Sequence, residues 1–412
     1  MNRIKIKNFG PIKEGNLEND GWIDINKITV FIGNQGSGKS TIAKLISTFT
    51  WIEKALVRGD YDNKWFSRKN KLKNQFLNYH RLENYLLKKD GKTISEIEYE
   101  GKAYRIIFKD DVLNTYEIES NNYSLPQIMY VPAERNFISY VKSPNELKLS
   151  SDSLKEFLTE FDNAKDNIKG SIKLPINNVD LEYDKLNDIL NIKGIDYKVR
   201  LTESSSGFQS LVPLYIVSQY LSTGIKTRTE SNLDLMSSNE IERFKKSISE
   251  IYSNINLTDE QRRAAVSALS SKFNKTCFIN IVEEPEQNLF PISQKKMLNS
   301  LLEFNNYNLE NKLILTTHSP YLINHFSLVV KAGDIFNNKN YQKIKDSLNS
   351  IIRNESIISN NSLVIYEMNE KDGTIKKLDN YNGLPSDENS LNQEIEDTNE
   401  LFAELLELQQ KL

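Results

Sequence analysis

Apolar Ile4, Ile6 and Phe9 alternate with polar residues in "RIKIKNFGPI", the two-residue period of a strand with one buried face. "WIDINKITVFIG" begins with the same alternation and ends in an unbroken apolar run, the pattern of a strand covered on both faces. The period then changes: in "STIAKLISTFTWIEKAL" the apolar positions 42, 45, 46, 49 and 52 fall on one face of a helix. A strand, a glycine-rich loop and a helix therefore follow one another. Residues 64–90 are lysine-rich with interleaved Leu, Phe and Tyr, and read as a helical insertion. "KTISEIEYEGKAYRIIFKDD" and "NTYEIESNNYSLPQIMYVPAERNF" read as sheet, with "EGK" and "SNNYS" as turns. Helices are expected around 151–169 and 213–222, flanking a further β stretch, "VDLEYDKLNDILNIKGIDYKVRL". A second helical insertion spans 225–275. Beyond it, "CFINIVEE" reads as a buried strand, "PISQKKMLNSLLEF" as a helix, "NKLILTTHS" as a strand and 393–412 as an amphipathic helix. Strands alternating with helices and no internal repeat predict an α/β fold: a mixed, partly parallel sheet core with helical insertions, in a single domain over 1–412.

Composition narrows the class. The 412 residues are 38% hydrophobic and 26% charged, enough for a substantial core. A net charge of −3 excludes a whole-chain polycation built for nucleic acid and leaves a local basic patch open. Cys277 is the only cysteine, so no intrachain disulfide forms, and it reads as a small buried residue at a strand start. Three histidines and one cysteine give no metal-ligand spacing; His80 and His325 have no context that assigns them a role. "MNRIKIKNFGPIKEG" lacks the apolar stretch of a signal peptide, and no run reaches a membrane span. The expectation is a cytoplasmic protein with no membrane partner.

Chemistry concentrates first in "FIGNQGSGKSTIAKL". Gly33, Gly38, Lys39 and Ser40 satisfy G-x-x-x-x-G-K-[ST] between the expected strand and helix. Glycines let backbone N–H groups turn onto phosphate oxygens, and the helix N-terminus adds partial positive charge. Asn34, Gly36, Ser37, Gly38, Lys39, Ser40 and Thr41 thus form a candidate nucleoside-triphosphate cradle. Lys39 would bridge the β and γ phosphates, the Ser40 hydroxyl would ligate Mg²⁺, and Thr41 would reach the α-phosphate.

Three later segments carry a family resemblance. "FINIVEEPEQNLFP" (278–291) resembles the Walker B segment and following loop of ABC-type ATPases, and more narrowly those of the SMC, RecF and OLD-like branch. "LTTHSPYL" (315–322) resembles the switch-histidine strand of that branch. "TESSSGFQSLVPLY" (202–215) resembles its signature loop, with Ser206, Gly207 and Gln209 where the motif has Ser, Gly and Gln. Physical roles go with the resemblance. Glu283, ending an apolar strand, would hold the Mg²⁺ shell, where the family usually has Asp. Glu284 would polarise the attacking water as general base. His318, at a strand end, would hydrogen-bond the γ-phosphate. Ser206, Gly207 and Gln209 would cap the ATP held by an opposite subunit, which implies a homodimer or higher homo-oligomer. Phe208 stands where transporter-type loops have a second glycine. The glutamine-loop position is open between Gln127, Glu134 and Arg135, and Arg135 reads equally as a carboxylate partner. Asn8 or Phe9 would touch adenine, with a core Phe9 as the alternative.

The chain also departs from its relatives. About 165 residues separate Thr41 from Ser206, with no sustained heptads, which excludes long-arm tethering of DNA. About 90 residues follow His318 and offer no Toprim metal set. The resemblance therefore implies an ATPase of the AAA and SMC-like kind without its own nuclease. Such stand-alone ATPases occur in bacterial anti-phage defence beside a separately encoded effector, a nuclease or toxin. A RecF-like repair ATPase acting on DNA, or a nucleotide-gated scaffold with little turnover, are the alternatives. The insertions at 64–90 and 225–275 are the natural places for partner or nucleic-acid contacts.

Overall fold

The unbroken apolar runs become the interior strands of one sheet. The computed structural model describes residues 2–119, 123–141, 149, 151–226, 238–253, 258, 261–262, 265–266, 269, 274–381 and 383–410. The chain opens with β1 (Asn2–Lys7), β2 (Gly15–Asn16), β3 (Ile23–Ile25), β4 (Ile28–Gly33) and α1 (Lys39–Arg58). Next come β5 (Glu96–Glu100), β6 (Tyr104–Lys109), β7 (Val112–Glu117), β8 (Pro126–Val131) and α2 (Asp152–Asp166). Four short antiparallel strands, β9 (Ser171–Lys173), β10 (Asp180–Asp184), β11 (Ile189–Lys193) and β12 (Lys198–Arg200), precede α3 (Ser206–Lys226) and α4 (Ser238–Ser253). The last part runs β13 (Cys277–Glu283), α5 (Pro291–Asn306), β14 (Lys312–Thr316) and α6 (Pro320–Phe336). It closes with β15 (Leu363–Met368), β16 (Thr374–Lys377) and α7 (Ser390–Gln409).

Among the described residues, seven strands form the central sheet in the order β8-β13-β14-β4-β15-β16-β2. The first five are parallel and β16 turns back antiparallel, so the sheet is mixed as expected. Register brings the functional strand ends to one edge: Glu283 lies opposite Thr316, Thr316 opposite Phe31, and Met368 opposite Gly33. Alternation sends successive side chains into two cores. Ile28, Val30, Ile32, Val282 and Leu315 join α3, α5 and α6 on one face. Phe31, Ile281 and Ile314 meet Ile42, Ile46 and Phe49 of α1 on the other. Every residue of β4 and β13 is buried, and each such aliphatic side chain contributes roughly 1.5–3 kcal/mol.

An antiparallel sheet, β3-β1-β5-β6-β7, covers α1 from outside. Glu53 of α1 latches it: its carboxylate accepts from Ala103 N (2.8 Å), Tyr104 N (3.3 Å) and the Tyr99 hydroxyl (2.9 Å).

One of the two insertions differs from its sequence reading. Residues 63–93 are not one helix: a short helix at Asn63–Phe66, a π-turn at Leu72–Leu77 and a hairpin of Lys88–Lys89 with Lys92–Thr93 replace it. The cause is aromatic. Tyr61, Trp65, Phe66 and Phe76 gather on one another and on Trp51 of α1, and Phe66 stacks on Phe76, ten residues on, which one unbroken helix cannot do. Of the 225–275 insertion, α4 is helical as read, while 227–237 and most of 254–273 lie outside the described residues. The tail forms α7 with no residue fully buried. No helix among the described residues is long and apolar enough to cross a membrane.

Candidate functional site

The site lies at the carboxyl ends of parallel strands, where open α/β sheets present their ligand crevice. At the end of β4, Gly33 has φ 137°, and a Cβ there would sit 2.2 Å from the Met368 carbonyl on the adjacent strand. Only glycine allows the loop to leave the sheet at this point. Gly38, in the left-handed region at φ 102°, caps α1 without a side chain, which leaves the first N–H groups of the helix and their partial charge open to an anion. Gly36 is exposed, with open space around the position of a Cβ. Ser37 and Thr41 are buried, and Ser40 is half-buried in the first turn.

Lys39 is 5% exposed, yet carries a cation. Its Nζ donates to the carbonyls of Gly33 (2.8 Å) and Asn34 (2.7 Å), with Ser37 Oγ at 3.5 Å. Burial pushes its pKa down to about 8, against the pull of Glu284, Glu286, Glu370 and Glu283. Asn34 steadies the exposed side of the loop, accepting from Gln35 N at 2.7 Å and donating to Glu370 at 3.2 Å. Glu370, just beyond β15, was not singled out in the sequence because β15 itself was not assigned.

Glu283 ends β13 with its carboxylate buried. One oxygen accepts from Ala133 N at 3.2 Å; the other, Oε1, has no hydrogen-bond partner among the described residues. A buried carboxylate oxygen left this way fits a divalent cation or its bound water. No group of three or more His, Cys, Asp or Glu could hold a metal among the described residues. A Mg²⁺ here would therefore be held by Glu283, the Ser40 hydroxyl and phosphate oxygens, the sparse protein ligation that this ion accepts.

Glu284 adopts φ 44°, a left-handed conformation unusual outside glycine, fixed by its N–H donating to Thr316 O at 2.9 Å. This turn presents its half-exposed carboxylate to His318, whose Nε2 lies 3.6 Å from Oε1. The His318 imidazole holds the Glu284 carboxyl below its ordinary range, outweighing burial. Glu284 is therefore ionised at neutral pH, as a general base must be. Sequence reasoning passed over Glu286. Its Oε1 accepts from Thr317 Oγ1 (2.8 Å) and His318 N (2.7 Å), so it pins the histidine turn to the carboxylate turn. Its signal was the third glutamate of "EEPE".

Arg135 fits neither of its sequence readings. It is fully buried and donates to backbone carbonyls: Glu283 (2.7 Å), Glu284 (2.6 Å), Ser210 (3.1 Å) and Pro132 (3.3 Å). It thus ties the end of β13 to α3. Glu134 is exposed. Gln127 pairs with Phe278 near the start of β13, at the opposite end of the sheet from Glu283. Phe9 is fully buried in the core. Asn8 donates weakly to Ile94 O at 3.4 Å.

The serine-rich loop is built from its own carbonyls. Gln209 Nε2 donates to Thr202 O and Ser204 O, both at 3.2 Å, and to Leu201 O at 3.4 Å, so its amide shapes the loop. Phe208 enters the core and anchors the first turn of α3, leaving Ser205 and Ser206 exposed at its N-terminus. A Cβ at Gly207 would lie 3.0 Å from the Asn288 carbonyl, and Asn288 donates to Ser210 Oγ at 2.9 Å. The loop therefore abuts the turn that follows Glu284. His325 is held by Asn299 at 2.7 Å, away from this chemistry.

No protein-family model and no curated protein matches the chain. Among solved structures it is similar to an SMC head bound to the C-terminal winged-helix domain of ScpA, at 12% identity, covering 91% of this chain and 96% of that one, with a TM-score of 0.36. The SMC head domain of Thermotoga maritima gives 10% identity, 92% and 98% coverage and a TM-score of 0.33. A dimeric bacterial ABC transporter cassette, MJ0796, gives 11%, 92% and 100%, with a TM-score of 0.24. Identity at this level assigns no residue a role.

Proposed function

We propose that the chain is an ABC-type, SMC-like ATPase that binds and hydrolyses ATP and closes as a dimer around the nucleotide. One observation carries this reading. A buried lysine cation and an open helix N-terminus stand on the end of β4, a histidine on the end of the adjacent β14, and an ionised glutamate on the end of β13 next to that. Lys39 and the α1 N–H groups suit the phosphates. Glu284 is placed to take a proton from the attacking water, and His318 to orient that carboxylate and meet the γ-phosphate. Mg²⁺, when bound by Ser40 and Glu283, would neutralise phosphate charge. The exposed N-terminus of α3, held in shape by Gln209 and Phe208, supports a cap on the partner's ATP. The motif resemblance supports one further element: the closed and open clamp would control a separately encoded effector, such as a nuclease or toxin in anti-phage defence.

Paired variants test the chemistry. Lys39→Ala should abolish ATP binding, whereas Glu284→Gln should keep binding and slow hydrolysis by about 100-fold or more. Phosphate release from Glu284→Gln at the wild-type rate contradicts the assignment of the base.

A further inference from the structure

The lysine-rich stretch after α1 has no part in the ATPase chemistry, yet it walls a cavity of about 380 Å³, within the size range of small-ligand pockets. Trp51 of α1 and Tyr61, Trp65 and Phe76 of that stretch give it flat aromatic sides. Such walls recognise a planar ring by stacking. The polar groups are few and placed at edges. Glu156 of α2 presents a carboxylate, to which the Tyr79 hydroxyl donates. His80, 2% exposed, lines the cavity with an Nδ1 that finds no hydrogen-bond partner among the described residues. Burial keeps that imidazole neutral, with its pKa down to about 3. A ligand ring with both N–H donors and acceptors on its edge would satisfy the two groups.

Charge supplies the rest. Lys71 Nζ lies 3.8 Å from the centre of the Trp65 ring, and Arg243 of α4 donates to the Tyr61 hydroxyl at 3.1 Å. The same stretch carries exposed Lys64, Arg68 and Lys69. Aromatic walls, edge hydrogen bonds and cations outside them together describe one ligand chemistry. We propose that this cavity receives an unpaired nucleobase, with its phosphate left among the cations at the rim. The base comes either from a free mononucleotide or from a single strand. The site is separate from the phosphate loop but joined to it. Ser47, Thr48 and Trp51 lie on the helix that Lys39 begins, and Tyr130, also in the lining, pairs with Ile281, two residues before Glu283 on β13.

Two of the three tryptophans line the cavity, so intrinsic fluorescence reports its occupancy. The Lys39→Ala protein, whose phosphate loop is disabled, is titrated with each of the four nucleoside 5′-monophosphates and with a short mixed-sequence single-stranded oligonucleotide. Saturable quenching by at least one probe is expected. It should weaken about tenfold in Glu156→Gln and in Phe76→Ala with far-UV circular dichroism unchanged. Quenching by a monophosphate assigns a free nucleotide; quenching by the oligonucleotide alone assigns a base in a strand. Should Lys39→Ala fail to fold, the titration is made on wild-type protein without ATP, and Glu156→Gln and Phe76→Ala, which leave the phosphate loop intact, separate quenching at the cavity from binding at that loop. No saturable quenching with any probe, or quenching that ignores both cavity variants, overturns the site. Neither result bears on the ATPase reading, which does not use these residues.

Discussion

Arg135 shows how much of the site is held by residues that meet no substrate. A guanidinium presents a rigid fork of donors, and here that fork collects carbonyls from Ser210 within α3 and from Glu283 and Glu284 at the end of β13. Arg135→Met should cost on the order of 3 kcal/mol in denaturant unfolding, because several buried carbonyls lose their donor. Arg135→Lys should recover little, since an ammonium cannot span the fork; full stability in the Lys variant contradicts this role. Cys277 is a simpler case. Burial pushes its thiol up to about 12, so iodoacetamide at pH 8 should label the protein only after unfolding, as mass spectrometry would show. Rapid labelling of the native protein contradicts the burial. At this scale the sequence is informative where a motif fixes geometry, as for Lys39, Glu284 and His318. It is silent on Arg135 and Glu286, because a cation or carboxylate in a string does not reveal whether its partner is a side chain or a backbone group.

Elements were readable in proportion to their periodicity. The apolar runs of β4, β13 and β14 declare strands buried on both faces, and the helical period of α1 survives intact. The helix expected around 213–222 is longer, running from Ser206 to Lys226 with Pro213 inside it. Residues 64–90 read as helix because spacing alone cannot show that Trp65, Phe66 and Phe76 gather with Tyr61 and Trp51 instead of forming one stripe. The Glu53 latch, which joins α1 to β5 and β6, is invisible for a similar reason: its partners are N–H groups about 50 residues away. Glu53→Leu should lose roughly 2–4 kcal/mol and speed hydrogen exchange in 96–109, whereas Glu53→Gln keeps most acceptors. Burial raises the Glu53 pKa, so its folded form holds the proton more tightly than the unfolded chain. The stability this group adds is complete below about 4.5 and declines as pH rises through the folded value. Relative to Glu53→Gln, wild-type stability should thus fall with pH above that point; a difference independent of pH contradicts the shift.

On the scale of the molecule, the proposed function makes one chain only part of an ATP site. The phosphate loop, Glu283, Glu284 and His318 converge, while Ser205 and Ser206 stand exposed at the N-terminus of α3, which packs on the turn after Glu284. In the proposed dimer, closure over a second copy would give that end a phosphate to meet. Sedimentation of Glu284→Gln with ATP and Mg²⁺ tests this most directly. A species of twice the monomer mass is predicted, lost on Ser206→Arg although that variant still binds ATP. A monomer at saturating ATP, or a dimer indifferent to Ser206→Arg, would contradict the shared site.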